Sequence, residues 1–334
     1  MRMIEEIILN HYGMHMLEST KLAVGAGSDT FLIKTDKGKF ILKNANINEA
    51  NNPENEPAIC AHLLAKGLPV STFVKDVRGV YVFDHDGALY HMQKFVEGKN
   101  YGWNTAPSWL LDASARMLGK IHVALQDYPS LPVGIGENFF RYMTPQSAIK
   151  SYENTLERAK LEGDTAIEAD VSFRLELMKR FHVPGIRLDQ LTRGNTHGDY
   201  FISQLICGEE DISAVIDWTS ACIHPVIWEI MRSYVYAAPE CAQGIIDEAA
   251  LISYVKKYLD AAPLTAYDIR MLPYVFYYQI AVCDYYHQYY HSTADNRSIY
   301  LQQAVSSTKL LKWLEPNNER LSEVLAAALY SRAL

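Results

Sequence analysis

Two acids stand on either side of a turn in the stretch "THGDYFISQLICGEEDISAVIDWTSA", Thr196 to Ala221. Asp199 precedes the apolar run "ISQLIC" and Asp217 ends the apolar run "SAVID", with "GEED" between them. If the runs pair as a hairpin, both acids fall at the same edge of the ribbon and their carboxylates approach one another. Like charges brought together are disfavoured unless a proton or a cation compensates, and a divalent metal is the obvious cation. A metal held by one carboxylate and one amide oxygen, beside a second carboxylate within reach of a hydroxyl, is the arrangement phosphoryl transfer requires. The metal offsets phosphate charge and the free acid orients the attacking oxygen. Taken alone, Asp199 also suits an Asx-type turn after His197 and Gly198.

Such side chains need a scaffold, and the first hundred residues carry strand and turn signals. In "KLAVGAGSDTFLIKTDKGKFILKNA", apolar runs at 22–24, 31–33 and 40–42 are separated by Gly25 and Gly27 and by "TDKGK", which predicts two successive hairpins. A helix follows in "ENEPAICAHLLAKGLPV", with Pro57 in its first turn, Ile59, Leu63 and Leu64 on one face, and Gly67 and Pro69 as stop signals. "VYVFDHDGALYHMQKFVEG" then reads as two strands around a D-G turn. The N-terminal part is therefore expected to be a small antiparallel sheet carrying one helix. Beyond Pro107 the apolar period changes to that of helices, in "SWLLDASARMLGKIHVAL", "GIIDEAALISYVKKYL" and "YLQQAVSSTKLLKWL". The predicted architecture is α+β, with an N-terminal lobe over 1–97 and a larger, mainly helical lobe over 98–334. The boundary lies in the glycine-containing "VEGKNYGWN".

The order H-G-D, an amide side chain five positions after the Asp, then a strand ending I-D-W resembles the aminoglycoside phosphotransferase and choline kinase superfamily. That resemblance implies a protein-kinase-like bilobal fold and transfer of the γ-phosphoryl group of ATP, with Mg2+, to a hydroxyl of a small molecule. The acceptor is left open among amino alcohols, amino acids, sugars and aminoglycosides, as are ATP against GTP and the oligomeric state. By position, Asp199 matches the catalytic base and Asp217 the metal-binding acid, 217 − 199 = 18 residues apart. Gln204 stands where the family has Asn, and would bring the same amide oxygen to the metal one methylene further out. Lys43, at the end of "KFILK", matches the lysine that contacts ATP phosphates, and Glu56 the acid that pairs with it. "GAGSDT", with Gly25, Gly27 and Ser28, matches the loop over the phosphates, and "QKFVEG", with Gln93, Phe95 and Val96, the hinge that meets adenine. The resemblance runs from Ala23 to Arg232 with its order intact. It includes "ARMLGKIH", ending at His122, and Glu229, an acid that would brace the catalytic loop.

Other features have plainer readings. His197 is a structural histidine and Trp218 a core aromatic. The aromatic run "YVFYYQIAVCDYYHQYYH" has the spacing of a packed helix, although its ring faces, with Asp284 as counter-charge, suit a cationic substrate. Tyr200 and Asp284 are the candidates for substrate contact. His287 and His291 share a helical spacing without the H-E-x-x-H pattern of a metal site. A net charge of −8 without a basic cluster argues against nucleic acid as a partner. The five scattered cysteines form no C-x-x-C pair, which fits reduced thiols in a cytoplasm. The polar, short N-terminal apolar stretch suits neither a signal peptide nor a membrane span. The rival to an enzyme is a binding or spore-coat-type protein that kept a kinase fold and lost transfer.

Overall fold

The computed structural model describes residues 2–22, 29–44, 52–134, 140–293 and 296–332. In chain order its elements begin with α1 (Arg2–Tyr12), β1 (Met16–Leu22), β2 (Thr30–Thr35), β3 (Gly38–Asn44), α2 (Asn55–Ala65), β4 (Phe73–Val74), β5 (Val82–His85) and β6 (Ala88–Lys94). Then come α3 (Ser108–Ala124), α4 (Pro145–Glu162), α5 (Thr165–Arg180), β7 (Arg193–Thr196), β8 (Leu205–Cys207), β9 (Ile212–Val215) and β10 (Cys222–Pro225). The last are α6 (Val226–Ala237), α7 (Glu248–Leu259), α8 (Ala266–Val282), α9 (Tyr285–His291) and α10 (Arg297–Leu329). Two units emerge: Met1–Asn100, Asp127–Pro132 and Ser203–Ala221 form the first, and Tyr101–Gln126, Val133–Ile202 and Cys222–Leu334 the second.

In the first unit β1, β2, β3, β6 and β4 lie side by side in that order, with β5 also paired to β6. Every pairing in this sheet is antiparallel. The D-G signal between β5 and β6 is a turn with Asp86 at φ 54 and Gly87 at φ 80, the positive angles that the tightest hairpins demand at both central positions. Where one helix was expected there are two. The N-terminal apolar stretch is α1: Ile4, Ile7, Ile8 and Tyr12 recur on one face and join the core with Phe40, Leu42, Phe83, Tyr90 and Met92. Glu5 and Glu6, which interrupt the apolar run in sequence, are the solvent side of that helix. The first strand likewise starts earlier than its apolar run suggested, at Met16.

The hairpin of β8 and β9 belongs to the first unit although it is distant in sequence, so a single cut after residue 97 does not describe the packing. Val215 donates its N–H to the Pro69 carbonyl at 2.9 Å, and Lys99 and Cys207 exchange two backbone bonds of 2.9 Å. Gly98, at φ 152, makes that approach possible: a Cβ there would lie 2.6 Å from the Cys207 oxygen.

The second unit is mainly helical, with β7 and β10 pairing antiparallel. Its largest buried cation, Arg174, donates to the hydroxyls of Tyr152, Ser307 and Thr308 and to the Ile280 carbonyl, tying α4, α5, α8 and α10 together. The aromatic run expected as one helix is divided between α8 and α9 by Cys283 and Asp284. Helix α3 approaches α7 through Gly119, where an added Cβ would stand 2.9 Å from both the Tyr258 oxygen and the Ala261 side chain. Gly119→Val therefore overpacks the contact and is expected to cost about 1–3 kcal/mol, read as a lowered denaturation midpoint.

Candidate active site

The first unit gathers Lys43, Glu56, His91 and Asp217. Lys43 lies on β3 opposite Thr30 of β2 and His91 of β6, which places it on a central strand with only 7% of its surface exposed. A buried ammonium needs negative partners. Its Nζ donates to Oδ1 of Asp217 at 2.5 Å. Burial on its own would ease the proton off Lys43, but Glu56 and then Asp217 reverse that and raise its pKa above the ordinary lysine value.

Glu56 sits on the buried face of α2 with Ile59, Cys60 and Leu63, a place where a carboxylate survives only if it is paired. Its Oε1 accepts the Trp218 N–H at 3.1 Å, and its Oε2 lies 3.3 Å from Nε2 of the fully buried His91. Burial pushes this carboxyl up, yet Lys43, His91 and the Trp218 amide together hold it below the usual carboxylate range. The pairing expected between Lys43 and Glu56 is therefore not a direct ion pair. Lys43 bonds Asp217, and Glu56 fixes the backbone next to Asp217 while contributing its field.

Asp217 follows β9 in a left-handed conformation, φ 64 and ψ 65, that costs a non-glycine residue about 1–2 kcal/mol. Its Oδ1 also accepts the Thr219 hydroxyl at 2.9 Å, and its side chain remains 37% exposed. Gln204 ends a short turn before β8, and its backbone oxygen accepts the Ile216 N–H at 2.9 Å, adjacent to Asp217. Among the described residues no group of three or more His, Cys, Asp and Glu side chains gathers as a metal cage. Along the expected hinge, Gln93 is paired on both sides, to Ile41 and Phe73, and Phe95 donates its N–H to Lys39. Val96 makes no backbone hydrogen bond among the described residues. Gly25, Gly27 and Ser28 lie outside the described residues.

The second unit carries Asp199. Its N–H donates to His197 Nδ1 at 3.3 Å, and its Oδ1 accepts from Arg232 Nη2 at 3.2 Å. The His197 N–H in turn reaches Oε2 of Glu229 at 3.3 Å, and the same oxygen accepts His122 Nε2 at 2.9 Å. The tautomer that donates from Nε2 of His122 receives the Tyr258 hydroxyl at Nδ1, 2.8 Å away. Asp199 thus stands at the end of a buried chain running through His197, Glu229, His122 and Tyr258. Burial pushes the Glu229 carboxyl up, but His122, His224 and His197 bring it down to about 2.

Two expected substrate contacts are corrected by their surroundings. Tyr200 is 1% exposed and donates its hydroxyl to the Ser114 carbonyl at 3.1 Å, so it is core. Asp284 is the cap of α9: it accepts the His287 N–H and the hydroxyls of Ser151 and Thr155, and is buried. His287 and His291 stack with ring centroids 4.0 Å apart, with His291 Nδ1 donating to the His287 carbonyl. Two further residues, not among those expected from the sequence, belong to the site: His91 and Arg232. His91 was findable as the cross-strand partner of Lys43, and Arg232 as the basic residue one helical turn beyond Glu229.

The folded pKa of Glu229, about 2 against an ordinary 4.5, is depressed, so its contribution is complete above the ordinary value and fades as pH falls toward about 2. Glu229→Gln is expected to cost about 3 kcal/mol at neutral pH, a deficit that shrinks on acidification. Chemical denaturation across that range checks it; a pH-independent deficit contradicts it.

The chain matches the model of the phosphotransferase enzyme family over residues 18–264, more than half of its length. A homoserine kinase of Zymomonas mobilis is 24% identical over 227 residues, covering 66% of this chain and 64% of that enzyme, less than two thirds of its length. Among solved structures, an amicoumacin kinase in complex with AMP-PNP and Ca2+ superposes with a TM-score of 0.63 at 15% identity, covering 92% of each chain. A microcompartment-associated aminopropanol kinase gives 0.63 at 16% identity over 96% of this chain and 99% of its own. A spectinomycin phosphotransferase complexed with ADP and spectinomycin gives 0.56 at 14% identity over 98% of both. At these identities the structures are alike in fold, a kinase-like arrangement of antiparallel sheet and helices. On the extent of the family match, this chain belongs to the phosphotransferase enzyme family.

Proposed function

We propose that the protein is an ATP-dependent small-molecule kinase that moves the γ-phosphoryl group of ATP to a hydroxyl of a small acceptor. The observation that carries this reading is the buried Lys43, held cationic by Glu56 and bonded to Asp217 in a conformation a non-glycine residue rarely adopts. A protein that needed only a core would be as stable, or more so, with apolar residues at these positions. A lysine kept charged beside an accessible carboxylate suits phosphate and a divalent cation.

The donor set fits magnesium. Mg2+ takes one or two carboxylates, keeps waters and relies on substrate phosphates, so Asp217 with the Gln204 amide is enough protein for it and a cage is not needed. Held there, the ion would supply positive charge to offset that of the phosphates. Lys43 holds the phosphates, and Glu56 fixes Trp218 and with it the backbone that presents Asp217. Val96 is the hinge residue whose backbone groups are open to a base, and Gly25, Gly27 and Ser28 would cover the phosphates. Asp199 orients the acceptor hydroxyl. The bond from that oxygen to the γ-phosphorus forms as the bond to ADP breaks, and the hydroxyl proton leaves toward the carboxylate. Because the transition state is loose, positioning matters more than basicity, and His197 and Arg232 supply it. No helix among the described residues is long and apolar enough to cross a membrane; a cytoplasmic location is part of this proposal and rests on the proposed use of ATP.

Asp199→Asn is expected to lower kcat by about 10²- to 10⁴-fold with ATP affinity unchanged. Wild-type turnover in that variant contradicts the role. Gln204→Asn, which draws the amide oxygen back by one methylene, is expected to change the Mg2+ concentration for half-maximal activity while leaving the KM for acceptor unaltered. An unchanged magnesium dependence removes Gln204 from the metal site. Absence of nucleotide binding at every magnesium concentration favours the rival reading, a kinase-fold binding protein.

A further inference from the structure

In the second unit Arg232 is the basic residue bonded to Asp199, and among the described residues most of its hydrogen-bonding capacity is unused. A guanidinium has five N–H donors. Among the described residues the only hydrogen bond it makes is the 3.2 Å contact from Nη2 to Asp199, and its Nε is buried with no partner. Two aromatic rings lie against it: the guanidinium carbon is 4.6 Å from the Phe201 ring centre and 5.5 Å from that of Trp228, the residue one turn before it on α6. Contact with aromatic rings restricts the guanidinium and favours its donors being used at the edge of the fork. A buried donor without an acceptor costs about 1–3 kcal/mol, and a planar guanidinium fork matches a carboxylate in bidentate geometry.

Asp284, the acid expected as counter-charge to a cationic substrate, is occupied elsewhere. Asp284 is enclosed as a helix cap by Ser151, Thr155 and His287. The charged side chain bonded to the acceptor-orienting aspartate is the guanidinium of Arg232. Resting on the kinase reading above, we infer that Arg232 is a specificity residue that binds a carboxylate of the acceptor, so that the substrate is a hydroxy acid or hydroxy amino acid rather than a simple amino alcohol. One guanidinium then bridges two carboxylates, that of Asp199 and that of the substrate. This offsets their repulsion and sets the acceptor in fixed relation to the residue that orients its hydroxyl.

L-Homoserine and 3-aminopropan-1-ol differ only by a carboxylate and test this directly. The wild-type protein is expected to show kcat/KM about 10- to 150-fold higher for homoserine, the range that charge-assisted bonds to one carboxylate supply. In Arg232→Gln the ratio falls toward one, chiefly through KM for homoserine, and Arg232→Lys, which keeps charge and loses the fork, falls between. A wild-type ratio near or below one overturns the inference, as does a ratio unchanged in both variants. So does an equal loss of kcat for both acceptors, which marks Arg232 as a residue that only positions Asp199. If no acceptor yields ADP, the kinase reading itself fails; calorimetric binding of homoserine by wild type and not by Arg232→Gln then still upholds the carboxylate site, and equal binding or none overturns it.

Discussion

A lysine placed on the central strand of a sheet and removed from water must be answered by negative charge, and much of the first unit is arranged around that requirement. Lys43 meets Asp217, 174 residues later in the chain, at 2.5 Å. Glu56 supplies the larger part of the field that keeps the ammonium charged, yet its own oxygens hold the Trp218 amide and approach His91. The acid that steadies the lysine electrostatically therefore also steadies the backbone that presents the second acid. The hairpin of β8 and β9 is fastened to the rest of the unit by backbone bonds at Pro69 and Lys99, and Glu56 holds the Trp218 amide, so the backbone is bonded on both sides of Asp217. The left-handed backbone at Asp217 is the local strain that this scaffold sustains.

The second unit solves a related problem with the charges reversed. Glu229 is a buried carboxylate with histidines around it, and through the His197 amide it sets the loop from which Asp199 projects. Neither Glu229 nor His197 is placed to meet a substrate. Their effect is on the direction of a neighbouring side chain, with Arg232 as the charged contact on Asp199 itself. In the two clusters the partly exposed acids Asp199 and Asp217 are assigned chemistry, and buried residues hold them.

How far the sequence disclosed this depended on whether a feature is local. The hairpins of β2 with β3 and β5 with β6 carry their own turn chemistry, and the amphipathic faces of α2 and α3 repeat at helical period, so both were legible. Helix α1 was missed because Glu5 and Glu6, read as an interruption, are its polar face. The break at Cys283 and Asp284 was missed because aromatic residues continue across it without a proline or glycine, and the cap bonds of Asp284 come from α4 as well as α9. Lys43, Glu56, Asp199 and Asp217 could be picked out by order and spacing. Which of them touch is a tertiary fact: Glu56 reaches Trp218 rather than Lys43 because the chain brings α2 to the turn after β9. Arg232 had no local signature beyond its distance from Glu229.

Phosphate transfer by these clusters is tested by following Mg2+-ATP by phosphorus NMR with the purified protein and a pool of hydroxylated amino acids, hydroxy acids, amino alcohols and sugars. ATP is expected to be converted to ADP with the matching appearance of one phosphate monoester, and both signals are expected to vanish in Asp199→Asn. Conversion of ATP to ADP and inorganic phosphate alone, or ATP left intact with every acceptor, would contradict it.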